Sequence, residues 1–593
     1  MISFLTIRNG FRYLKDNGTL ATCRRIQKKI QYRIKYRRLQ AQSYSARELK
    51  RQQGVMFDRT IKISLMVPLY NTPVRYLRAM IKSVKKQTYT NWELCMADGS
   101  DKKYKRIEKI CRQYMNLDQR IRYEKLEKNL GISGNSNACL KTATGNYIGI
   151  LDHDDILHPA ALYEVVKVIC EQDADFIYTD EAVFNSPNQN HIRSRHFKPD
   201  FAPDNLLANN YICHFTVFSA GLLNKTDGFR SGYDGAQDHE LFLRLTKEAK
   251  RIVHIPKILY FWRSHKKSVA LSVDAKNYAA VSGTRAVSDF LEREGVKAYV
   301  TNIPDTFIYR VQYELTSLPK VSILILNAEQ RETLRKCLDS LYKKTNYPDF
   351  EIIIIENDNG AREDFNYYKK NQINRFDIKV VTWEGELNYS AMINYGVSFA
   401  TGQYLIFLNN NTEFITSKWI QEMLMYAQRR DVGAVGAKLY YPDDTLQHGG
   451  IVLGLDGAAG CLHRSLRREH KGYAGRLMYA QNFSAVSGAC MMMRREVFHE
   501  IGGFDEEFQM FYYDVDLCLR LRKAGYLILW TPFAELYLCE AKNVAVTTKA
   551  DSKAGAEKDC HLFYNRWSEQ IKVGDPYYNP NLPVIGEDFF AIM

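Results

Sequence analysis

The chain has 593 residues, 46% of them hydrophobic and 25% charged, which excludes a disordered polyelectrolyte and is enough apolar content for more than one core. No apolar run reaches the roughly 18 to 20 residues of a bilayer span, and the opening MISFLTIRNGFRYLK meets charge too early for a signal peptide, so a cytosolic chain is expected. Its twelve cysteines show no paired CxxC framework and are expected to be reduced thiols, and its net charge of +15 is unevenly placed.

Residues 1–51 hold fourteen Lys or Arg against Asp16 and Glu48, a local +12 that leaves about +3 for the rest. In RRIQKKIQYRIKYRRLQ, Ile26, Ile30, Ile34 and Leu39 recur near helical spacing, so residues 1–56 read as a basic amphipathic helical segment suited to an anionic membrane surface. A solvated helix or a protein contact is the plainer alternative. Nucleic acid is not expected, because the body behind this helix carries no basic motif, finger or stacking platform.

From residue 62 the pattern alternates. KISLMVPLYN (62–71), RYLRAMIKSVKKQTY (75–89) and NWELCMADGS (91–100) read as strand, helix and strand, and the order returns in KVSILILNAE (320–329), TLRKCLDSLYKKTNY (333–347) and FEIIIIENDNG (350–360). Apolar strands alternating with amphipathic helices imply an α/β fold with largely parallel sheets, here duplicated. The expected division is residues 57–315 and 316–593. NLGISGNSNACLKTATGNYIGILDHDD in the first half matches GELNYSAMINYGVSFATGQYLIFLNNN in the second, and GYDGAQDHELFLRL matches MFYYDVDLCLRLRKAGY. The second half carries an insertion of about nineteen residues, placed mostly in the basic stretch 442–480. The tail DPYYNPNLP (575–583) is expected as an extended finish.

Asp98, Asp152, Asp154 and Asp155 all follow apolar strand candidates, and in a parallel sheet such ends open onto the ligand crevice. Asp152 and Asp154, alternating through His153, suit one divalent cation and the diphosphate it neutralises. A solvated turn capping the helix near Pro159 is the plain alternative. Asp238 precedes an amphipathic helix, where a carboxylate is electrostatically natural, and it also suits a base that deprotonates an acceptor hydroxyl.

VPLYN with Asn71, the strand end at Asp98, NLGISGNSNA with Asn129 and Asn137, LDHDD, QDHEL and YFWRSHKKSVA resemble the family 2 glycosyltransferases of the GT-A fold. LNYSAMINYG, AVGAKLYYPDDTLQHGGIVLGLDG, YDVDLCLRLRKAGY and PYYNPNL extend the resemblance to the second domain of tandem bacterial transferases that build rhamnose-rich or O-antigen chains. The resemblance implies two tandem GT-A domains and inverting transfer from a nucleotide-diphosphate sugar, dTDP-rhamnose or a UDP-sugar, to a lipid-linked saccharide. It implies work at the cytoplasmic membrane face, beside other polysaccharide-assembly enzymes. It assigns Asp98 to the nucleotide, Asp152 and Asp154 to Mg2+ or Mn2+ and diphosphate, Asp238 to the base, and Arg263 and His265 to diphosphate contact or closure.

The second copy departs. Asn409–Asn411 stand where the acidic turn is expected, and Asn357 or Asp358 stands for Asp98, with Asp358 taken as the binding residue. Asp514 occupies the base position, with Asp516 beside it. His448, His463, Arg464, Arg467 and Arg468 are candidates to replace metal charge at a phosphate. The second half is therefore open to three readings: a second, bifunctional transferase activity, an acceptor-binding domain without chemistry, or an assembly role. A carbohydrate-binding scaffold is the alternative for the whole chain.

Overall fold

The computed structural model describes residues 44–185, 192–264, 273–327, 331–357, 377–539 and 550–583; the expected basic helix before residue 44, His265 and Asp358 lie outside them. Helix α1 (Ala46–Gln53) is capped by Ser45 and docks on the first half through Tyr44, whose hydroxyl donates to Glu164, and Gln52, which accepts from Thr88. No helix among the described residues is long and apolar enough to cross a membrane.

The first half then runs β1 (Ile63–Leu69), α2 (Val74–Lys85), β2 (Trp92–Asp98), α3 (Lys105–Leu117), β3 (Ile121–Lys125), α4 (Gly131–Thr142) and β4 (Tyr147–Ile150). Strands β1, β2 and β4 are buried along their whole length, which is why they read as continuous apolar runs. Helix α2 buries Tyr76, Leu77, Met80, Ile81 and Val84, the spacing of one helical face. There follow β5 (Ile156–Leu157), α5 (Ala161–Gln172), β6 (Phe176–Asn185), β7 (Ile192–His196), α6 (Pro203–Ala208), β8 (Thr216–Ser219), α7 (Gln237–Glu248), β9 (Ile252–Ser264) and α8 (Val273–Arg293).

A hairpin of β10 (Ala298–Asn302) and β11 (Tyr309–Tyr313) leads to the second half. That half comprises β12 (Val321–Asn327), α9 (Arg331–Lys344), β13 (Phe350–Asn357), β14 (Asp377–Trp383), α10 (Tyr389–Val397), β15 (Tyr404–Asn409), β16 (Thr412–Phe414), α11 (Trp419–Ala427) and β17 (Val432–Tyr440). Beyond it lie β18 (Leu446–His448), β19 (Ile451–Leu453), β20 (Ala459–Cys461), β21 (Gln481–Phe483), β22 (Cys490–Arg494), α12 (Tyr513–Lys523), β23 (Leu527–Leu538) and α13 (Ala550–Val573).

The two large sheets have the same strand order. The first is β3-β2-β1-β4-β8-β6-β9-β5 with β7 on β6; the second is β14-β13-β12-β15-β22-β17-β23-β16 with β18 on β17 and β21 on β23. Both are mixed but largely parallel, as expected: β8, β5 and β7 run against the rest of the first, and β22, β16, β18 and β21 against the rest of the second. Parallel neighbours lie around β1 and β12 and again where β9 joins β6 and β23 joins β17, each of these last strands following a helix. The halves meet through polar side chains: Asn482 Nδ2 donates to Asp204 Oδ2 at 2.8 Å, Asn205 Oδ1 accepts from Asn482 N at 3.0 Å, and Arg429 pairs with Asp204.

At the N-terminal edge of the parallel strands both halves carry one buried latch. Ser64 donates to Glu93 Oε1 at 2.6 Å and accepts from Gly145 N at 2.8 Å; Ser322 donates to Glu351 Oε1 at 2.6 Å and accepts from Gly402 N at 2.9 Å. Lys62 and Arg122 reach Glu93 at 2.6 and 3.0 Å, and Lys320 and Lys379 reach Glu351 at 3.3 and 3.4 Å. Burial alone would raise both carboxyls, but their lysines and hydrogen-bond donors prevail and bring them from 4.5 down to about 2. A depressed carboxyl stabilises the fold fully above its unfolded value and loses that contribution as pH falls toward the folded one. Acid titration from 4.5 to about 2 is therefore expected to remove on the order of 3 kcal/mol per latch. Glu93→Gln and Glu351→Gln each flatten that stretch of the stability curve in urea melts; an unaltered slope in both variants refutes the assignment.

Candidate active site

Strands β1, β2 and β4 are parallel, so Asp98, at the end of β2, and the turn Asp152–Asp155, after β4, open on one edge of the sheet. Asp98 is 1% exposed and its oxygens are occupied: Ser100 N donates at 2.8 Å, Tyr123 Oη at 2.8 Å, and Lys125 Nζ lies 3.4 Å away. The turn after it is pinned by Asn71, which donates from its amide to Asp101 Oδ2 at 2.9 Å and accepts from Asp101 N at 3.1 Å. Asn129 accepts from Asn135 Nδ2 at 2.9 Å, and a Cβ on Gly99 would meet that Asn135 amide at 2.8 Å, so a side chain there would push the two loops apart.

The acidic turn is built from behind. Asp155 is fully buried, accepts the Tyr260 hydroxyl at 2.6 Å and accepts Arg263 N at 2.7 Å. Arg263 Nε donates to the carbonyl of Asp154 at 2.6 Å, with its guanidinium held between the rings of Tyr76 and Phe184. The arginine expected to contact diphosphate is itself 3% exposed and grips the turn's backbone. Burial, then the charges of Asp154 and Asp152, push the Asp155 carboxyl well above the ordinary range. Asp152 and Asp154 remain partly open, with side chains 41% and 18% exposed. His214 Nε2 stands 3.7 Å from Asp152 Oδ2, and His153 Nδ1 3.8 Å from Asp154 Oδ1. Burial first, with Asp154 and Asp238 behind it, raises the Asp152 carboxyl against the pull of His214 and His153.

Asp238 is half-buried in the first turn of α7. Asn210 Nδ2 donates to its Oδ2 at 3.0 Å and His239 N to its Oδ1 at 2.9 Å. The loop 210–214 thus touches the proposed base through Asn210 and the acidic turn through His214. Neither residue was singled out in the sequence, and NNYICHF carries no periodicity that would have marked them. Asn137 ties α4 to the loop before Asp238, donating to Phe229 O at 2.8 Å and accepting from Phe229 N at 2.9 Å. The second acid of this helix start is Glu240, buried and bound by Arg244, Arg230 and Arg293.

Two carboxylates one residue apart would supply a hard divalent cation with part of its oxygen shell. Among the described residues no group of three His, Cys, Asp or Glu forms a fuller one.

Strand register aligns the second crevice residue by residue. Tyr147 pairs with Ile63 as Tyr404 pairs with Val321, so Asp152, Asp154 and Asp155 correspond to Asn409, Asn411 and Thr412. Ser219 and Arg494 sit opposite those tyrosines, which makes His214 equivalent to Ala489. Phe261 and Tyr537 likewise align, so Leu536 stands for Tyr260 and Cys539 for Arg263. Trp92 and Phe350 align too, and the counterpart of Asp98 is Glu356 rather than Asn357 or Asp358. The whole supporting shell has changed with the carboxylates. Asp514 is kept: its Oδ2 accepts Gly488 N at 2.7 Å and its Oδ1 accepts Val515 N at 2.9 Å, and burial raises its carboxyl above the ordinary range. Asp516 is a buried anchor for Arg520, Arg566 and Trp567.

The inserted region supplies little free charge. His448 and His463 are buried, and burial lowers both imidazoles, the first to about 3, so they are neutral. Arg464 donates to Tyr441 Oη at 2.7 Å and Arg468 pairs with Glu535 at 2.8 Å, while Arg467 is exposed on an isolated bridge to Thr445.

A model of the family described as "Glycosyl transferase family 2" matches residues 64–227 and 321–502. The chain is 38% identical over 532 residues to "Uncharacterized protein y4gI" of Sinorhizobium fredii, covering 89% of this chain and 58% of that protein. It is 34% identical over 533 residues to "O-antigen biosynthesis protein RfbC" of Myxococcus xanthus, covering 89% of this chain and 40% of that protein. Thus it spans 58% and 40% of those relatives' lengths. A "Chondroitin synthase" of Escherichia coli is 29% identical over 263 residues, 43% of this chain and 36% of that protein.

Proposed function

The chain belongs to glycosyl transferase family 2, and from that membership we propose that its first crevice transfers a sugar, with inversion, from a nucleotide-diphosphate donor to a growing surface polysaccharide. The observation that carries this reading is the loop 210–214, which joins Asp238 on one side to Asp152 on the other. Asp238 takes the acceptor hydroxyl proton as that oxygen bonds to the anomeric carbon and the bond to the diphosphate breaks. Asn210 and His239 N hold the carboxylate still for that step. Asp152 and Asp154 would hold Mg2+ or Mn2+, which when bound offsets the charge on the leaving diphosphate. Asp98 orders the nucleotide end of the crevice through the turn it caps, and Arg263 positions the acidic turn from behind.

The acceptor is a lipid-linked saccharide met at the cytoplasmic membrane face; the name of the RfbC relative and the basic segment before residue 44 support this. Residues 1–43 contain eleven Lys or Arg and one acid, and their removal leaves the docked Tyr44 and Gln52 in place. That truncation is expected to cut recovery on phosphatidylglycerol vesicles by about tenfold at low salt. Undiminished binding removes the membrane reading.

In the second half, the retained Asp514 favours a further transfer, while the amide turn 409–411 favours an acceptor-binding role beside one catalytic half. The test is a donor screen with UDP-glucose, UDP-N-acetylglucosamine and dTDP-rhamnose on a defined lipid-linked acceptor, with linkage analysis for wild type, Asp238→Asn and Asp514→Asn. No turnover with any of them sinks the transferase reading, and rhamnose turnover alone identifies the donor.

A further inference from the structure

The tail after α13 stays packed on the second half, where Asp575 accepts Leu453 N at 2.7 Å and Tyr578 and Leu582 join the core, and it also reaches the first half. Asp200 N donates to Pro576 O at 2.7 Å, and Asn581 Nδ2 donates to Pro256 O at 2.8 Å. Between them Asn579, 2% exposed, donates from Nδ2 to Asp180 Oδ1 at 3.0 Å, to Asp180 Oδ2 at 2.9 Å and to Lys198 O at 2.9 Å.

Those partners lie directly beneath the crevice. Asp180 and Lys198 are fully buried, and Lys198 N donates to Asp180 Oδ1 at 2.9 Å. From there Lys198 Nζ reaches the carbonyls of Ile212 and His214 at 2.6 and 2.5 Å, with Glu181 Oε2 at 3.6 Å. Glu181 in turn accepts His214 N at 3.3 Å. The gripped loop is the one that carries Asn210 to Asp238 and His214 to Asp152.

Among the described residues the second half has no equivalent. By strand register Lys438 and Leu439 replace Asp180 and Glu181, and Lys438 Nζ donates to Leu477 O at 3.3 Å.

We propose that Asn579 is a positioning residue for the first crevice, and that the C-terminal tail thereby makes the second half a structural part of the first half's site. The amide has a specific task. A buried carboxylate and a buried ammonium-bearing residue must be held in one arrangement, and a neutral double donor bridges Asp180 and the Lys198 carbonyl without adding charge. Without it Asp180 keeps Lys198 N and His254, but Lys198 loses one of the ties that fix where its Nζ points. Loop 210–214 then loosens, and a base or cation ligand misplaced by about 1 Å lowers turnover by one to two orders of magnitude while leaving nucleotide contacts on β2 alone.

This inference rests on the first crevice being the transferase site, and its test separates the two. In the full chain, Asn579→Ala is compared with wild type by amide hydrogen exchange and by release of UDP or dTDP from the three donors named above. Exchange in peptides covering residues 210–214 is expected to rise about tenfold, with exchange in the second half's β12 and β15 unchanged. kcat is expected to fall at least about tenfold, with donor KM within about twofold. The exchanged pair Asp180→Asn/Asn579→Asp is expected to recover neither, because a carboxylate at 579 cannot donate to the Lys198 carbonyl. Should Asn579→Ala fail to fold, Asn579→Ser, which retains a donor, is judged by the same criteria. Unchanged exchange at 210–214 overturns the proposal even if no donor is turned over. So does a kcat within twofold of wild type, or a loss that only follows the unfolded fraction.

Discussion

Asp238→Asn is expected to lower the first sugar addition by about 10² to 10⁴, with the donor bound nearly as well as by wild type. The substitution keeps the shape of the side chain, and its Oδ1 can still accept His239 N. What it loses is the ability to take a proton. Asn210 donates to the present carboxylate, so an amide at 238 sets an NH2 or a carbonyl against the Asn210 amide, and one of the two orientations is unfavourable. Asn210→Ala is the control for that local effect; it leaves the base intact and is expected to cost far less. Single-turnover measurement with saturating donor separates chemistry from binding. A kcat unchanged in Asp238→Asn would remove the base assignment, and a parallel collapse of nucleotide binding would make the residue structural.

The duplication was legible in the sequence because buried parallel strands leave continuous apolar runs, and both copies of those runs end in recognisable turns. Register was not legible. FEIIIIENDNG invites the end of the apolar run to be matched with Asp98, but strand β13 continues to Asn357, and pairing with β12 places Glu356 there. Arg263 was assigned to the crevice because it lies in a motif with Trp262 and His265, yet its partners are Asp154 and Asp155, more than a hundred residues earlier. Nothing local reports which face of a strand a guanidinium will take. The same limit hid Asn210, His214 and Asn579. Each acts through a partner supplied by tertiary packing, and a lone polar residue in a loop has no periodic signature. The asparagines 409–411 were visible at once, but not the accompanying loss of Tyr260, Arg263 and His214 equivalents, which turns one substituted turn into a rebuilt site.

That coherent rebuilding leads to the sharpest expected difference between the halves. Chelation with EDTA is expected to reduce the Asp238-dependent addition by roughly 100-fold or more, since on the proposed reading Asp152 and Asp154 would hold a cation that offsets diphosphate charge. Asn409 and Asn411 offer neutral oxygens, and an amide brings no charge to retain a cation against a chelator. Neither His448 nor His463 can replace that charge while burial keeps them neutral. Any addition that survives chelation should therefore vanish in Asp514→Asn and persist in Asp238→Asn. Asn409→Asp/Asn411→Asp would not recreate the first site, because Leu536, Cys539 and Ala489 cannot orient the new carboxylates as Tyr260, Arg263 and His214 do. Repelling charges without a cation would instead lower stability. If the two additions, resolved by linkage, respond equally to EDTA, the electrostatic asymmetry drawn between the crevices is wrong.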